Sequence, residues 1–249
     1  MIYYRLPLYI LFGVLPSLIW LFYYLKKDMH PEPKKMIVKI FFYGILVTIP
    51  VFLLQVGLSA ILDQIKILGF FNGYPIIEDL LKWFVVIALT EETLKYGVVK
   101  LAILKSDELD EPLDIMLYMV VVALGFAALE NILYLFSPID NMSFNAIIGS
   151  TIVISFIRFI GATFLHTLCS GLIGYFLAKS ILENRSKLHL TMVGILFSTL
   201  LHGLYNFSII TMQAPFNFFI PLIIILGLII FMVYDFDNIK KVKGICKIN

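Results

Sequence analysis

Seven apolar stretches, each long enough to cross a bilayer, constrain this chain more than any other feature: residues 2–25, 36–58, 76–101, 115–136, 146–180, 190–212 and 216–234. A helix needs about 20 mostly apolar residues to cross a hydrocarbon core of about 30 Å, and lipid admits only helices and closed barrels. The first stretch is longer than a signal-peptide core and lacks a small-residue cleavage site before Lys26, so it reads as a retained span. The fifth exceeds one crossing and is expected to tilt or project from the membrane. Pro16 and Pro50 suggest kinks, and the semi-polar residues 57–74 leave room for an interfacial helix. Only 14% of the residues are charged, against about 25% in soluble domains, so lipid must solvate most of the surface. The expected fold is an all-α membrane protein with about seven transmembrane helices, a single polytopic domain over 1–249.

The net charge of +2 is too small to argue for a nucleic-acid partner. Cys169 lies in an apolar run and Cys246 in the basic tail, so no disulfide framework is implied. The loops alternate in charge. Thirteen basic residues (Lys26, Lys27, Lys34, Lys35, Lys100, Lys105, Lys179, Arg185, Lys187, Lys240, Lys241, Lys243 and Lys247) fall on one side, against Arg5 and Lys66 on the other, where the loops around Asp140 and Gln213 have none. The positive-inside rule then places the N-terminus outside and the C-terminus in the cytoplasm of a multi-pass cell-membrane protein. The acidic run at 106–114 reads as a solvated connector.

Ionisable residues inside the spans are the anomaly. A charge at mid-membrane costs at least about 2.5–3.5 kcal/mol on insertion scales, and such groups face a cavity or a partner. The third span carries Glu91, Glu92 and Lys95; the fourth, Glu130 and Asn131; the fifth, Arg158 and His166; the sixth, His202 and Asn206. At about 1.5 Å per residue, Glu91 lies about 15 Å deep, His202 about 18 Å, His166 about 21 Å and Glu130 about 22 Å from one membrane face. All four can meet in one layer.

Lys95 stands i+4 from Glu91 and i+3 from Glu92, so one ammonium can reach either carboxylate. A carboxylate pair in low dielectric suits a general base. His202 and Asn206, also i,i+4, present an imidazole and an amide on one face, able to polarise a carbonyl or steady an oxyanion. His166 and Glu130 are further acid/base groups or metal ligands. Supporting roles fit Lys95, neutralising the acidic pair; Arg158, snorkelling or pairing structurally; and Asn131, hydrogen-bonding a neighbouring helix. A lone intramembrane His is more often helix–helix glue; two His and three Glu at one depth favour a functional site.

At these residues the sequence resembles the PrsW family of intramembrane proteases, which is related to the CAAX prenyl endopeptidases and bacteriocin-processing membrane proteases. Glu91, Glu92 and Lys95 match its EExxK motif; Phe126 and Glu130 match FxxxE; His166 corresponds to its histidine in the next span; His202 and Asn206 match HxxxN/D. The resemblance covers about residues 76–212, the expected catalytic core. CAAX enzymes carry histidine where this chain has Glu130, which favours the PrsW branch. Ala162 stands where a Phe would precede His166, so that correspondence rests on order and depth. The resemblance implies hydrolysis of a peptide bond in a membrane-anchored protein, as in site-1 cleavage of an anti-sigma factor. Its motifs leave two chemistries open. Either Glu130, His166 and His202 hold a divalent metal such as zinc, or the Glu91–Glu92 pair activates water directly while His202 and Asn206 hold the oxyanion.

Two other functions compete: a non-catalytic scaffold or substrate-presenting subunit of the same superfamily, and an ion-coupled transporter. A scaffold would tolerate loss of the acidic pair, and both glutamates are present. Transporters more often show paired halves with broken helices at matching positions, whereas the polar residues here bunch in one half.

Overall fold

The computed structural model describes residues 2–28, 30–106, 109, 111–136 and 144–240. Lys241, Lys243, Lys247 and Cys246 of the tail, the loop around Asp140, and Asp107, Glu108 and Asp110 of the acidic connector lie outside the described residues. The helices are α1 (Ile2–Lys27), α2 (Lys34–Ile67), α3 (Pro75–Leu80), α4 (Thr90–Ala102), α5 (Pro112–Leu135), α6 (Phe144–Ile160), α7 (Ala162–Leu182), α8 (Lys187–Thr211) and α9 (Phe216–Lys240). A π-helical segment, Leu81–Leu89, joins α3 to α4 without a break. Among the described residues, six helical stretches, with α6 and α7 taken as one, are long and apolar enough to cross a membrane. The run from α3 to α4 is the expected third span, and its Glu91, Glu92, Lys95 and Lys100 set it apart from those six.

Helix α5 is the centre of the bundle. Its most apolar window is 94% buried, whereas that of α2 is 17% buried and faces outward. Tyr118, Met119, Val121 and Leu124 of α5 pack against Ile40 of α2, Val99 and Ile103 near the end of α4, and Ile173 and Leu177 of α7. In lipid no hydrophobic force drives helix on helix, so close approach through small residues matters. The α2–α5 crossing shows this: a Cβ on Gly44 would lie 2.2 Å from the Val122 carbonyl oxygen, and one on Gly125 2.0 Å from that of Phe41. Leu53, Ile223 and Ile230 point outward, as lipid-facing side chains do.

Three expectations are refined. The long fifth span is two helices meeting at Gly161. Trp20 Nε1 donates to the Phe159 carbonyl at this break (3.0 Å), and a Cβ on Gly161 would lie 2.4 Å from the Tyr205 hydroxyl. The second span does not stop near residue 58. Helix α2 continues through Pro50 to Ile67, 34 residues in all, or about 50 Å of helix, so it projects past the hydrocarbon core. The connector at 106–114 is partly ordered by capping: Glu111 and Asp114 exchange side-chain and backbone hydrogen bonds at the start of α5. At the same end of the bundle His30 Nδ1 lies 2.8 Å from Glu111 Oε1, and Tyr118 donates to Glu32. The α1–α2 and α4–α5 loops therefore share one end, as the charge alternation requires.

Candidate active site

Helices α4, α5, α7 and α8 bring the central polar residues to one place, with Arg158 of α6 and Gln55 of α2 at its edges. Glu91 and Glu92 stand in the first turn of α4, just after the π-helical segment. Such π-turns rotate the register of the helix beyond them and recur at functional sites. At the junction Thr90 Oγ1 donates back to the Val86 and Ile87 carbonyls (2.6 and 2.9 Å). Glu130 and Asn131 come from the last turns of α5, His166 and Ser170 from α7, and His202 from α8. Glu91, Glu92, Lys95, Asn131, His166 and His202 are buried, while Glu130 keeps 20% of its side chain exposed and forms the accessible edge.

Glu92 is fully engaged. Its Oε1 accepts from Lys95 Nζ at 2.7 Å and from His202 Nδ1 at 2.9 Å, and its Oε2 accepts from Ser170 Oγ at 3.0 Å. A carboxylate only accepts, so the His202 Nδ1 carries the proton and, in the neutral ring, Nε2 keeps its lone pair. The same reasoning orients His166. Lys95 Nζ lies 2.9 Å from Nδ1, and an ammonium only donates, so Nε2 carries the proton and gives it to Glu130 Oε2 at 2.8 Å. Arg158 Nη2 donates to that same oxygen at 2.8 Å, its Nε donates to Asn131 Oδ1 at 2.5 Å, and its guanidinium lies 3.9 Å from the Tyr134 ring centre. Asn131 Nδ2 also donates to the Gly13 carbonyl and to Thr163 Oγ1, the helix-bridging role expected of it.

Glu91 differs. Its Oε1 accepts from Gln55 Nε2 of α2 at 3.1 Å, but its Oε2 is buried without a hydrogen-bond partner. Around that oxygen stand Lys95 Nζ at 3.7 Å, His166 Nδ1 at 3.9 Å and His202 Nε2 at 3.9 Å. Asn206, half-buried one turn beyond His202, makes no hydrogen bond to the described residues. Of the expected residues, Glu91, Glu92, Lys95, Glu130, Asn131, Arg158, His166 and His202 are thus linked in one cluster, and Asn206 is not among them. Two participants were not expected from sequence, Gln55 and Ser170. Ser170 carries a signal, since it stands i+4 from His166 on the same face; Gln55 carries only its rarity as an amide in an apolar span.

Residues 32–234 match the family model described as "PrsW family intramembrane metalloprotease". The chain belongs to the PrsW family. It is similar to "Protease PrsW" of Oceanobacillus iheyensis, with 32% identity over 197 residues, 78% of this chain and 80% of that protein. The protein of the same name from Geobacillus kaustophilus is 29% identical over 202 residues, 81% and 79% of the two chains. That of Clostridioides difficile is 27% identical over 241 residues, 95% and 92%. No solved structure matches the chain. As a PrsW-family member this is an integral membrane protein and a protease, whose substrate is a protein in the membrane.

The PrsW-family label also implies a metal, and the donors present fit one. Glu91, Glu92, His166 and His202 offer ligand atoms that all lie within 4.8 Å of one another. Glu130, one of the three metal ligands expected from sequence, lies outside that group and fixes the His166 ring through Nε2 instead. Once the internal hydrogen bonds are assigned, the atoms that remain are Glu91 Oε2 and His202 Nε2, with His166 Nδ1 shared with Lys95. Two imidazoles and one carboxylate make a donor set used by catalytic zinc. Each ring has its other nitrogen held by a carboxylate, the arrangement that orients metal-binding histidines. Among the described residues, three carboxylates here also face only two cationic side chains, Lys95 and Arg158. With neutral imidazoles, one buried negative charge is left uncompensated, at a cost a bound cation relieves.

Proposed function

We propose that this chain hydrolyses a peptide bond of a membrane-anchored protein, with Glu91 as the general base. The observation that carries this assignment is the buried, unpartnered Oε2 of Glu91, ringed by Lys95, His166 and His202. A water donating to Glu91 Oε2 and His202 Nε2 turns a lone pair toward the carbonyl carbon. Glu91 takes one water proton as the carbon–oxygen bond forms, then returns it to the amide nitrogen as the carbon–nitrogen bond breaks. Glu92 holds Lys95 and His202 in place and does not exchange protons with the substrate. In the neutral ring His202 Nε2 accepts, so oxyanion donation falls to the Asn206 amide, with the Lys95 ammonium adding positive potential nearby. Glu91, His166 and His202 are also the residues that would hold a metal, their Oε2, Nδ1 and Nε2 then serving the ion in place of the water hydrogen bonds. When bound, it would supply Lewis-acid polarisation and an acidified water.

The location of the site points to the substrate class. A buried site among transmembrane helices is reached from the bilayer, which favours a protein with a single membrane anchor, such as an anti-sigma factor. The positive-inside pattern supports an outward N-terminus and a cytoplasmic C-terminus. Purified protein in detergent, incubated with a panel of single-span tagged substrates, tests the assignment. Cleavage is expected for wild type and lost in folded Glu91→Gln, while loss in chelator-treated protein with recovery on adding zinc would assign Glu91, His166 and His202 to a metal rather than to the water directly. Equal cleavage by wild type and Glu91→Gln would remove Glu91 from the chemistry.

A further inference from the structure

We propose that Gln55 is a positioning residue for Glu91, an inference that rests on the assignment of Glu91 as general base. Gln55 comes from α2, a span with none of the family's motifs and with mostly lipid-facing side chains. Its neighbours Leu53, Leu54 and Val56 are exposed, whereas Gln55 turns inward and places Nε2 3.1 Å from Glu91 Oε1. An amide in a lipid-facing helix costs desolvation unless it is partnered. Beyond Pro50 little else holds α2 inward, since only Val51 and Leu62 are buried over that half of the helix.

The donor's chemistry suits the role. A cation at this position would neutralise Glu91 and draw both oxygens toward itself. A neutral amide fixes one oxygen and leaves the charge in place. With Oε1 pinned, Oε2 is held at 3.7–3.9 Å from Lys95, His166 and His202 without bonding to any of them. Without the pin, the carboxylate is free to rotate and close the gap to Lys95, which would occupy the oxygen that must meet water. Glu92 needs no such help, because Lys95, His202 and Ser170 already donate to it.

The test compares wild type, Gln55→Met, Gln55→Leu, Glu91→Gln and the Gln55→Met/Glu91→Gln double variant, as full-length protein in detergent. Thermal unfolding checks folding, zinc affinity is read by competition with a chromophoric chelator, and kcat and KM are read on a cleaved single-span substrate. Both Gln55 replacements make α2 more apolar and should fold. Loss of an outer partner of a metal site typically costs about 10–100-fold in affinity or activity. Zinc affinity and kcat are therefore expected to fall by that factor in both, with KM within about twofold of wild type. Adding Gln55→Met to Glu91→Gln should change zinc affinity no further, because Gln55 acts only through that carboxylate. Wild-type zinc affinity and kcat in folded Gln55→Met and Gln55→Leu, beside an inactive Glu91→Gln, would overturn this proposal and leave Glu91 standing. An additive further loss in the double variant would also overturn it. Full activity of Glu91→Gln would overturn both.

Discussion

Glu91 and Glu92 are neighbours in sequence on one helix, yet the two sides of the site they define are built differently. A residue step on a helix turns the side chain by about 100°, so Glu92 faces α7 and α8 while Glu91 faces α2 and the middle of the cluster. On the Glu92 side every acceptor is taken: Lys95 and His202 on one oxygen, Ser170 on the other. On the Glu91 side one oxygen is held by Gln55 and the other has no partner. A satisfied buried carboxylate rigidifies what surrounds it, whereas an unsatisfied one has unspent capacity to bind. We propose that the pair divides into a structural carboxylate and a chemical one.

Replacing Glu92 is the most severe way to break that comparison. Glu92→Ala removes the acceptor shared by Lys95 and His202 and leaves a buried ammonium with the neutral His166 Nδ1 as its one hydrogen-bond partner and Glu91 3.7 Å away. Removing one partner of a buried ion pair costs about 3–5 kcal/mol, so thermal unfolding in detergent should show a large loss of stability together with loss of cleavage. Wild-type stability would mean that Glu92 does not hold the cluster together. Glu91→Gln should separate the two properties. Cleavage should fall by about 10²–10⁴-fold, the range attributed to a positioned general base. The melting temperature should stay near wild type, because the variant removes no bonded partner of Oε2. A drop in stability as large as that of Glu92→Ala would erase the distinction.

Much of this was legible from sequence, for identifiable reasons. Crossing length and apolarity set the spans, and the cost of charge in lipid made Glu91, Glu130, His166 and His202 conspicuous before any contact was known. Helical spacing placed Lys95 beside both glutamates, and the structure puts its Nζ 2.7 Å from one and 3.7 Å from the other. Three features were not legible. The break at Gly161 depends on Trp20, some 140 positions away in the chain, reaching a backbone carbonyl. Gln55 is uncharged, so hydropathy does not single it out, and its partner lies on another helix. The surroundings of Glu130 were not legible because a carboxylate can bind a metal or orient a histidine, and its hydrogen bonds to Arg158 and the His166 ring depend on two other helices.

Ser170→Ala sharpens the comparison at smaller cost. It takes one of three donors from Glu92, and hydrogen bonds to charged groups contribute about 1.5–3 kcal/mol. Because the loss falls on the structural carboxylate, unfolding should shift by about that much while kcat changes less than it does in Glu91→Gln. A kcat loss matching that of Glu91→Gln, with stability unchanged, would assign chemistry to the Glu92 side.

The smallest effect is expected at the edge of the cluster, where Arg158 supports the Glu91 side at two removes. Its Nη2 holds Glu130 Oε2, which accepts from His166 Nε2, and that hydrogen bond leaves His166 Nδ1 directed at the centre. Its Nε holds Asn131 at the same time. Arg158→Lys keeps the positive charge but loses the rigid fork, so one ammonium must choose between Glu130 and Asn131. If charge alone matters, cleavage and stability both stay at wild-type levels. If the fork orients His166, cleavage should slow by up to about tenfold, with KM unchanged and only a small shift in melting temperature. The direction of that split decides whether the chemical side of the site ends at Glu91, His166 and His202 or extends through Glu130 to its exposed edge.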